Sequence, residues 1–391
     1  YFFYDIMQNC DTINMVKNAV KLMTEKKHSE VLKTMFEVLI FNGVDKYMKV
    51  TSKERCLATI RGEKVDRVPV FPLLMSFSAK KLGITYRTYA TDGHALAESQ
   101  LKVMEMFNID AITVCSDAFR VSADLGGEMV FPEAKPPFLA KPIVTSENDL
   151  KMLKKPDVSN PKGRMADRIR GVTELARSAG KSCMVVGWVD MPFAEACSVC
   201  GVTEFMMLMY DDPELAHKVL EFLTDIVIDF AVAQVEAGAA MIGGGDAATS
   251  LISPQLYREF ALPYEQKVCE AVHKAGGLVK LHVCGNTTKL LQDMVLSGAD
   301  LFNVDHMVDF SYAAETYGKA SLAFKGNIDP VEDMLFATPE ECEKKVMQLI
   351  QKAQGKKYMV SPGCEVPADV SDEVFAAFCN ASKKFYDSKT I

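Results

Sequence analysis

The chain has 391 residues, 49% hydrophobic and 25% charged, the balance of an ordinary globular protein long enough to bury a core without staples. Lys and Arg number 44 against 52 Asp and Glu, and the net charge of −8 argues against a general nucleic-acid binder, which needs a basic surface. Apolar runs fall short of a membrane span: Ile226–Gly245 is interrupted by Asp229, Gln234 and Glu236.

Tyr1–Asp5 offers no basic region ahead of a long apolar stretch, and the eleven cysteines are an odd, scattered set. A reducing, cytoplasmic compartment is expected, with the cysteines as free thiols or metal ligands. Over residues 1–48, Met15, Val16, Ala19, Val20 and Leu22, then Val31, Leu32, Met35, Phe36 and Leu39, recur at helical spacing. This predicts a helical N-terminal arm that packs on the main body or on a second copy in a homodimer.

Residues 49–391 have a different texture. Thr51–Glu54 fits a capping box that opens a helix to about Arg61. Eight candidate strands follow: Val68–Leu73, Ala111–Cys115, Cys183–Val189, Ala240–Gly244, Leu278–Val283, Leu301–Val304, Ser321–Lys325 and Lys357–Ser361. Most are continuous apolar runs, as expected of parallel strands buried on both faces. Helical patterns over Pro213–Ala237, Pro254–Ala275 and Pro339–Ala353 separate several of them, each opened by a cap residue and a proline. The alternation predicts a (β/α)8 barrel of the TIM type, with an open doubly wound sheet as the alternative. The longest insertion, 116–181, follows the second strand.

The chemistry concentrates at strand ends. In Lys280-Leu281-His282-Val283-Cys284-Gly285, residues i and i+2 of a strand share a face, so His282 and Cys284 can address one ion. Cys364 lies at the end of the eighth strand, and strands five and eight share the C-terminal rim of a barrel. One imidazole and two thiolates form a soft set that suits zinc and leaves a fourth position open. Zinc with two thiolates is already neutral, which favours holding an electron-rich sulfur for attack on an alkyl group over activating water. Asp246 and Glu365 are candidates for a displaceable fourth ligand or for the base that takes a thiol proton. Asp117 ends the second strand and Asp305 the sixth, and Gly244 sits in a glycine run that would let a flat ring approach the backbone. Cys197 and Cys200 form a lone C-x-x-C, read as buried or loop thiols.

The stretches Gly326-Asn327-Ile328-Asp329-Pro330, Leu251-Ile252-Ser253-Pro254, Phe260-Ala261-Leu262-Pro263-Tyr264 and Thr113-Val114-Cys115-Ser116-Asp117 resemble the uroporphyrinogen decarboxylase superfamily. The resemblance covers about Thr51 to the C-terminus and implies a TIM barrel. Within it, His282-x-Cys284 with Cys364 is similar to the zinc motif of the methylcobamide:coenzyme M methyltransferase branch. The decarboxylase carries an arginine-bearing stretch after its first strand, whereas this chain has Phe71-Pro72-Leu73-Leu74-Met75-Ser76 there. The resemblance therefore implies methyl transfer from a methylated corrinoid (cobalamin) on a separate carrier protein to a thiol such as coenzyme M. It implies zinc on His282, Cys284 and Cys364, and Asp117, Gly244, Asp305 and Asn327 are the candidate corrinoid-binding residues. A decarboxylase of a porphyrin-like acid and a non-catalytic corrinoid-binding protein are the rival readings.

Overall fold

Runs rich in Val, Ile and Met leave neither face in water, and the chain resolves this by pairing them in parallel and covering them with helices. The computed structural model describes residues 50–387, so the arm expected over 1–48 lies outside the described residues. The strands are β1 (Ala111–Thr113), β2 (Met129–Val130), β3 (Phe138–Leu139), β4 (Met184–Asp190), β5 (Met241–Gly245), β6 (Leu278–His282), β7 (Leu301–Val304), β8 (Ala323–Ile328) and β9 (Tyr358–Pro362). A curled parallel sheet runs β1-β4-β5-β6-β7-β8-β9, and β2 and β3 form a small hairpin inside the insertion.

Residues 69–73 bridge the two edges of this sheet. Phe71 N donates to Val360 O at 2.8 Å, Val360 N to Pro69 O at 2.8 Å, and Asp110 N to Val70 O at 2.9 Å. The segment pairs in parallel only at isolated positions, Val70 with Val360 and Leu73 with Glu365. Pro69 and Pro72 lack the N–H that a regular ladder requires, which is why the expected first strand is reduced to bridges. Asp110, fully buried, ties this seam: it accepts from Val70 N at 2.7 Å, Arg55 at 2.6 Å and Arg67 at 2.7 Å.

Local signals act as the sequence indicates. Thr51 and Glu54 form the reciprocal capping box of helix Ser52–Arg61, and Thr338 with Glu341 repeats it on Pro339–Lys352. Gly238, Gly276 and Gly298 take φ of +107°, +88° and +88° after helix ends, where an L side chain would be strained. One expectation needs correction. The helix expected over Pro254–Ala275 breaks into Pro254–Phe260 and Leu262–Lys274. Pro263 has no N–H to continue the ladder of the preceding helix, so the second helix starts there with proline in its first turn.

The barrel interior is layered. Phe71, Ala111, Met184, Val186, Met241, Leu301, Ala323 and Met359 fill one end as an apolar plug. Toward the opposite end the inward side chains turn polar, beginning with Lys280 and Lys325, both buried. Lys325 Nζ donates to Phe71 O and Ser361 Oγ, each at 2.8 Å. No single described helix is long and apolar enough to cross a membrane.

Candidate metal centre

Lys280, His282 and, just past the end of β6, Cys284 share one parity, and Cys364, just past β9, reaches the same rim from beyond two intervening strands. The three donor atoms lie within 4.8 Å of one another. Cys284 Sγ is 3.0 Å from His282 Nε2 and 3.6 Å from Cys364 Sγ, and Cys364 Sγ is 3.8 Å from His282 Nε2. Tetrahedral bonds of zinc length would set sulfurs about 3.8 Å apart and nitrogen about 3.6 Å from sulfur. The observed triangle matches two of these edges and is short on the third, so the donor set fits a soft ion with little movement.

The protons of the trio are already arranged toward that end. Hydrogen bonding from Cys284 outweighs burial and, with His282, holds the Cys364 thiol well below its ordinary range. The same bond, seen from the other side, and burial push Cys284 up. Two adjacent sulfurs thus share one proton, which a bound cation would displace. Nε2 is the His282 nitrogen aimed at the sulfurs, and Nδ1 is buried with no hydrogen-bond partner among the described residues.

The trio forms part of the floor of a cleft of about 780 Å³ whose walls include Leu73, Met75, Phe119, Leu139, Trp188 and Leu251. Trp188 is seated by glycine: a Cβ on Gly243 would lie 2.5 Å from its ring. Asp190 and Asp117 also line the cleft, each backed by an arginine: Arg120 NH2 donates to Asp190 at 2.5 Å, and Arg164 grips Asp117 with two bonds of 2.8 Å. Burial alone would raise Asp117, but Arg164 and Arg120 outweigh it and hold the carboxyl below its ordinary range. Asp190 is pushed up to about 6 by burial, against the pull of Arg120.

The other expected site residues fall in different places. Asp246 is 0% exposed and is not one of the clustered donors. Gly245 lines the cleft, so the next residue points outward, into the layer between β5 and its covering helices. There burial and Glu265 raise the Asp246 carboxyl well above its usual range, and Tyr257 Oη donates to Glu265 at 2.5 Å. The expectation that Asp246 serves the metal is corrected on this ground. Gly244 also points outward: its Cβ would meet Met191 Cε at 2.3 Å, so it offers a flat ring no approach. Asp305 is engaged by Gly285 N and Met307 N, each at 3.0 Å, and shapes the turn after Cys284. Asn327 Nδ2 donates to Asp305 O at 3.3 Å and Val308 O at 2.7 Å, so it braces the same turn rather than facing a ligand. Asp117 does line the cleft, with its oxygens committed to Arg164, Ser116 and Phe119. Glu365 adjoins Cys364 and accepts from Ser76 N and Ser76 Oγ, both at 2.6 Å. Cys197 and Cys200 are buried on helix Pro192–Cys200.

Sequence reasoning passed over Lys280, although Lys280-x-His282-x-Cys284 carries the alternation that turns it inward. Burial lowers its ammonium to about 8, while the cysteines nearby oppose the fall, and its Nζ lies 4.4 Å from the Trp188 ring centroid.

Comparison with known proteins agrees with this frame. The family model for uroporphyrinogen decarboxylase (URO-D) matches residues 51–385. The chain belongs to the uroporphyrinogen decarboxylase family. Among curated relatives it is 28% identical over 323 residues to the methylcobamide:CoM methyltransferase MtbA of Methanosarcina acetivorans, covering 81% of this chain and 93% of that protein. It is 25% identical over 345 residues to the uroporphyrinogen decarboxylase of Prochlorococcus marinus, covering 84% and 95%. A solved methyltransferase from Methanosarcina mazei superposes with a TM-score of 0.79 at 23% identity, over 86% of this chain and all of that one. The fold is therefore the TIM barrel that the alternation of strands and helices predicts.

Proposed function

We propose that the protein transfers a methyl group from a methylated corrinoid, presented by a carrier protein, to a thiol. In the reaction a sulfur–carbon bond forms as the cobalt–carbon bond breaks, with the electron pair remaining on cobalt. The observation that supports this most is the convergence of His282, Cys284 and Cys364 at an apolar cleft. The kinship with a methylcobamide:CoM methyltransferase supports the same class of reaction.

His282, Cys284 and Cys364 would hold zinc, which supplies a soft acid that keeps a thiol deprotonated at neutral pH. The residues of this chain do the rest. Leu73, Met75, Phe119 and Trp188 exclude water and offer an apolar wall to a corrin face. Asp305 fixes the turn that carries Cys284 through Gly285 N. Glu365, anchored by Ser76 beside Cys364, is the carboxyl we assign to receive the proton of the acceptor. Positioning two reactants in a dry cleft accounts for rate enhancement without further chemistry from the protein.

A porphyrinogen decarboxylase remains the rival, because relatives of that name match over a similar length. It requires cations for several carboxylates, whereas Arg120 and Arg164 are already paired with Asp190 and Asp117. The test is demethylation of methylcobalamin by the zinc-loaded protein with a panel of thiols, followed by its absorbance. Thiol-dependent loss of the methylcobalamin spectrum supports the proposal. Loss of carbon dioxide from a porphyrinogen, with no demethylation, overturns it.

A further inference from the structure

β7 lies beside β6, and their ladder sets Asn303 opposite His282. Both residues are buried, each 3% exposed. His282 lines the cleft, and Asn303 shares the parity of Leu301, which belongs to the inner plug, so both side chains turn into the barrel. Asn303 Nδ2 donates at 2.9 Å to the carbonyl oxygen of Gly363, the residue before Cys364. Asn303 therefore stands beside one donor of the trio and holds the turn that carries another.

Two buried atoms of this pair have no hydrogen-bond partner among the described residues: Nδ1 of His282 and Oδ1 of Asn303. Buried polar groups are nearly always paired, and these two are complementary once the ring carries its proton on Nδ1. A cation on Nε2, the nitrogen 3.0 Å from Cys284 Sγ, enforces that tautomer, since the neutral imidazole then has only Nδ1 for its proton. Adjacent strands run about 4.8 Å apart, and each of the two atoms sits two bonds from its own Cβ, so a small turn of the side chains closes the gap. With Nδ2 spent on Gly363, Oδ1 is the arm of the amide left to accept. We infer that Asn303 is a positioning residue of this centre: Oδ1 accepts from His282 Nδ1–H when Nε2 holds the metal, while Nδ2 fixes Gly363 and with it Cys364. One amide thus sets two donors of the trio relative to each other. This rests on the zinc reading of the trio and adds a residue to it.

The experiment is NMR of the full chain, isotope-labelled in its histidine rings and loaded with zinc, beside zinc affinity measured against a competing chelator. In the parent one ring binds metal through Nε2 and keeps a deshielded Nδ1 proton. Asn303→Leu has the same branched shape without either arm of the amide. It moves that proton upfield and weakens zinc binding about 10- to 100-fold, the usual effect of losing a ligand's hydrogen-bond partner. Asn303→Asp keeps an acceptor for Nδ1 but, like Leu, gives up the bond to Gly363. It retains most of the parent's affinity and moves the proton further downfield. Equal weakening in both variants with the Nδ1 proton unmoved would mean that Asn303 only holds Gly363, and overturns the inference while the zinc reading stands. A zinc-bound ring in the parent with no deshielded Nδ1 proton does the same and needs no variant. A parent that takes up no zinc sinks both.

Discussion

Replacing Arg164 by Leu tests whether the cleft wall is built as described. Arg164 makes two bonds of 2.8 Å to Asp117, whose side chain is 1% exposed. Removing one partner of a buried ion pair strands the other charge, at a cost of about 3–5 kcal/mol. Asp117 would keep Ser116 Oγ at 2.7 Å and Phe119 N at 3.0 Å, with Arg120 at 3.9 Å. These remaining partners place the expected loss near the lower end, about 3 kcal/mol. Urea unfolding followed by Trp188 fluorescence reads it. The sign of the pH dependence gives a second reading. Because the folded carboxyl is held below its unfolded value, its contribution is full above about pH 4 and fades as pH falls further. Arg164→Leu flattens that acid limb, and the double variant with Asp117→Asn recovers part of the loss. A destabilisation under about 1 kcal/mol would show that Asp117 is not a buried charge relying on this arginine, and the wall would need another account.

Three further outcomes follow from the same coordinates. Asp246→Asn retains the metal content of the parent, because Asp246 points away from the trio; loss of metal would restore it as a ligand. The raised Asp246 carboxyl makes the parent lose stability as pH rises above the unfolded value of about 4, a slope that Asp246→Asn reduces in thermal melts up to pH 9. Gly363→Ala lowers metal content although it is no ligand, since its Cβ would lie 2.4 Å from His306 N, and backbone cannot yield as a side chain can; unchanged metal and stability would contradict this.

The barrel was legible because buried parallel strands read as uninterrupted apolar runs, and Leu301–Val304 was located to the residue. The first strand was misjudged because Val68–Leu73 carries prolines that remove ladder donors while leaving the apolar pattern intact. The convergence of His282, Cys284 and Cys364 was legible from two facts, the i, i+2 parity of a strand and the shared rim of a barrel. The same parity would have turned Asp246 outward, had Gly245 been placed inward first. The cleft wall was not legible. Arg120 meets Asp190 across 70 positions and Arg164 meets Asp117 across 47, and no local spacing encodes such pairs.

Metal analysis of the protein isolated from zinc-replete growth, beside its Cys284→Ala and Cys364→Ala variants, tests the centre most directly. The arrangement of donors predicts about one zinc per chain in the parent and almost none in either variant, with the barrel's circular dichroism unchanged. A parent without zinc, or a variant that keeps it, would contradict a centre built from His282, Cys284 and Cys364.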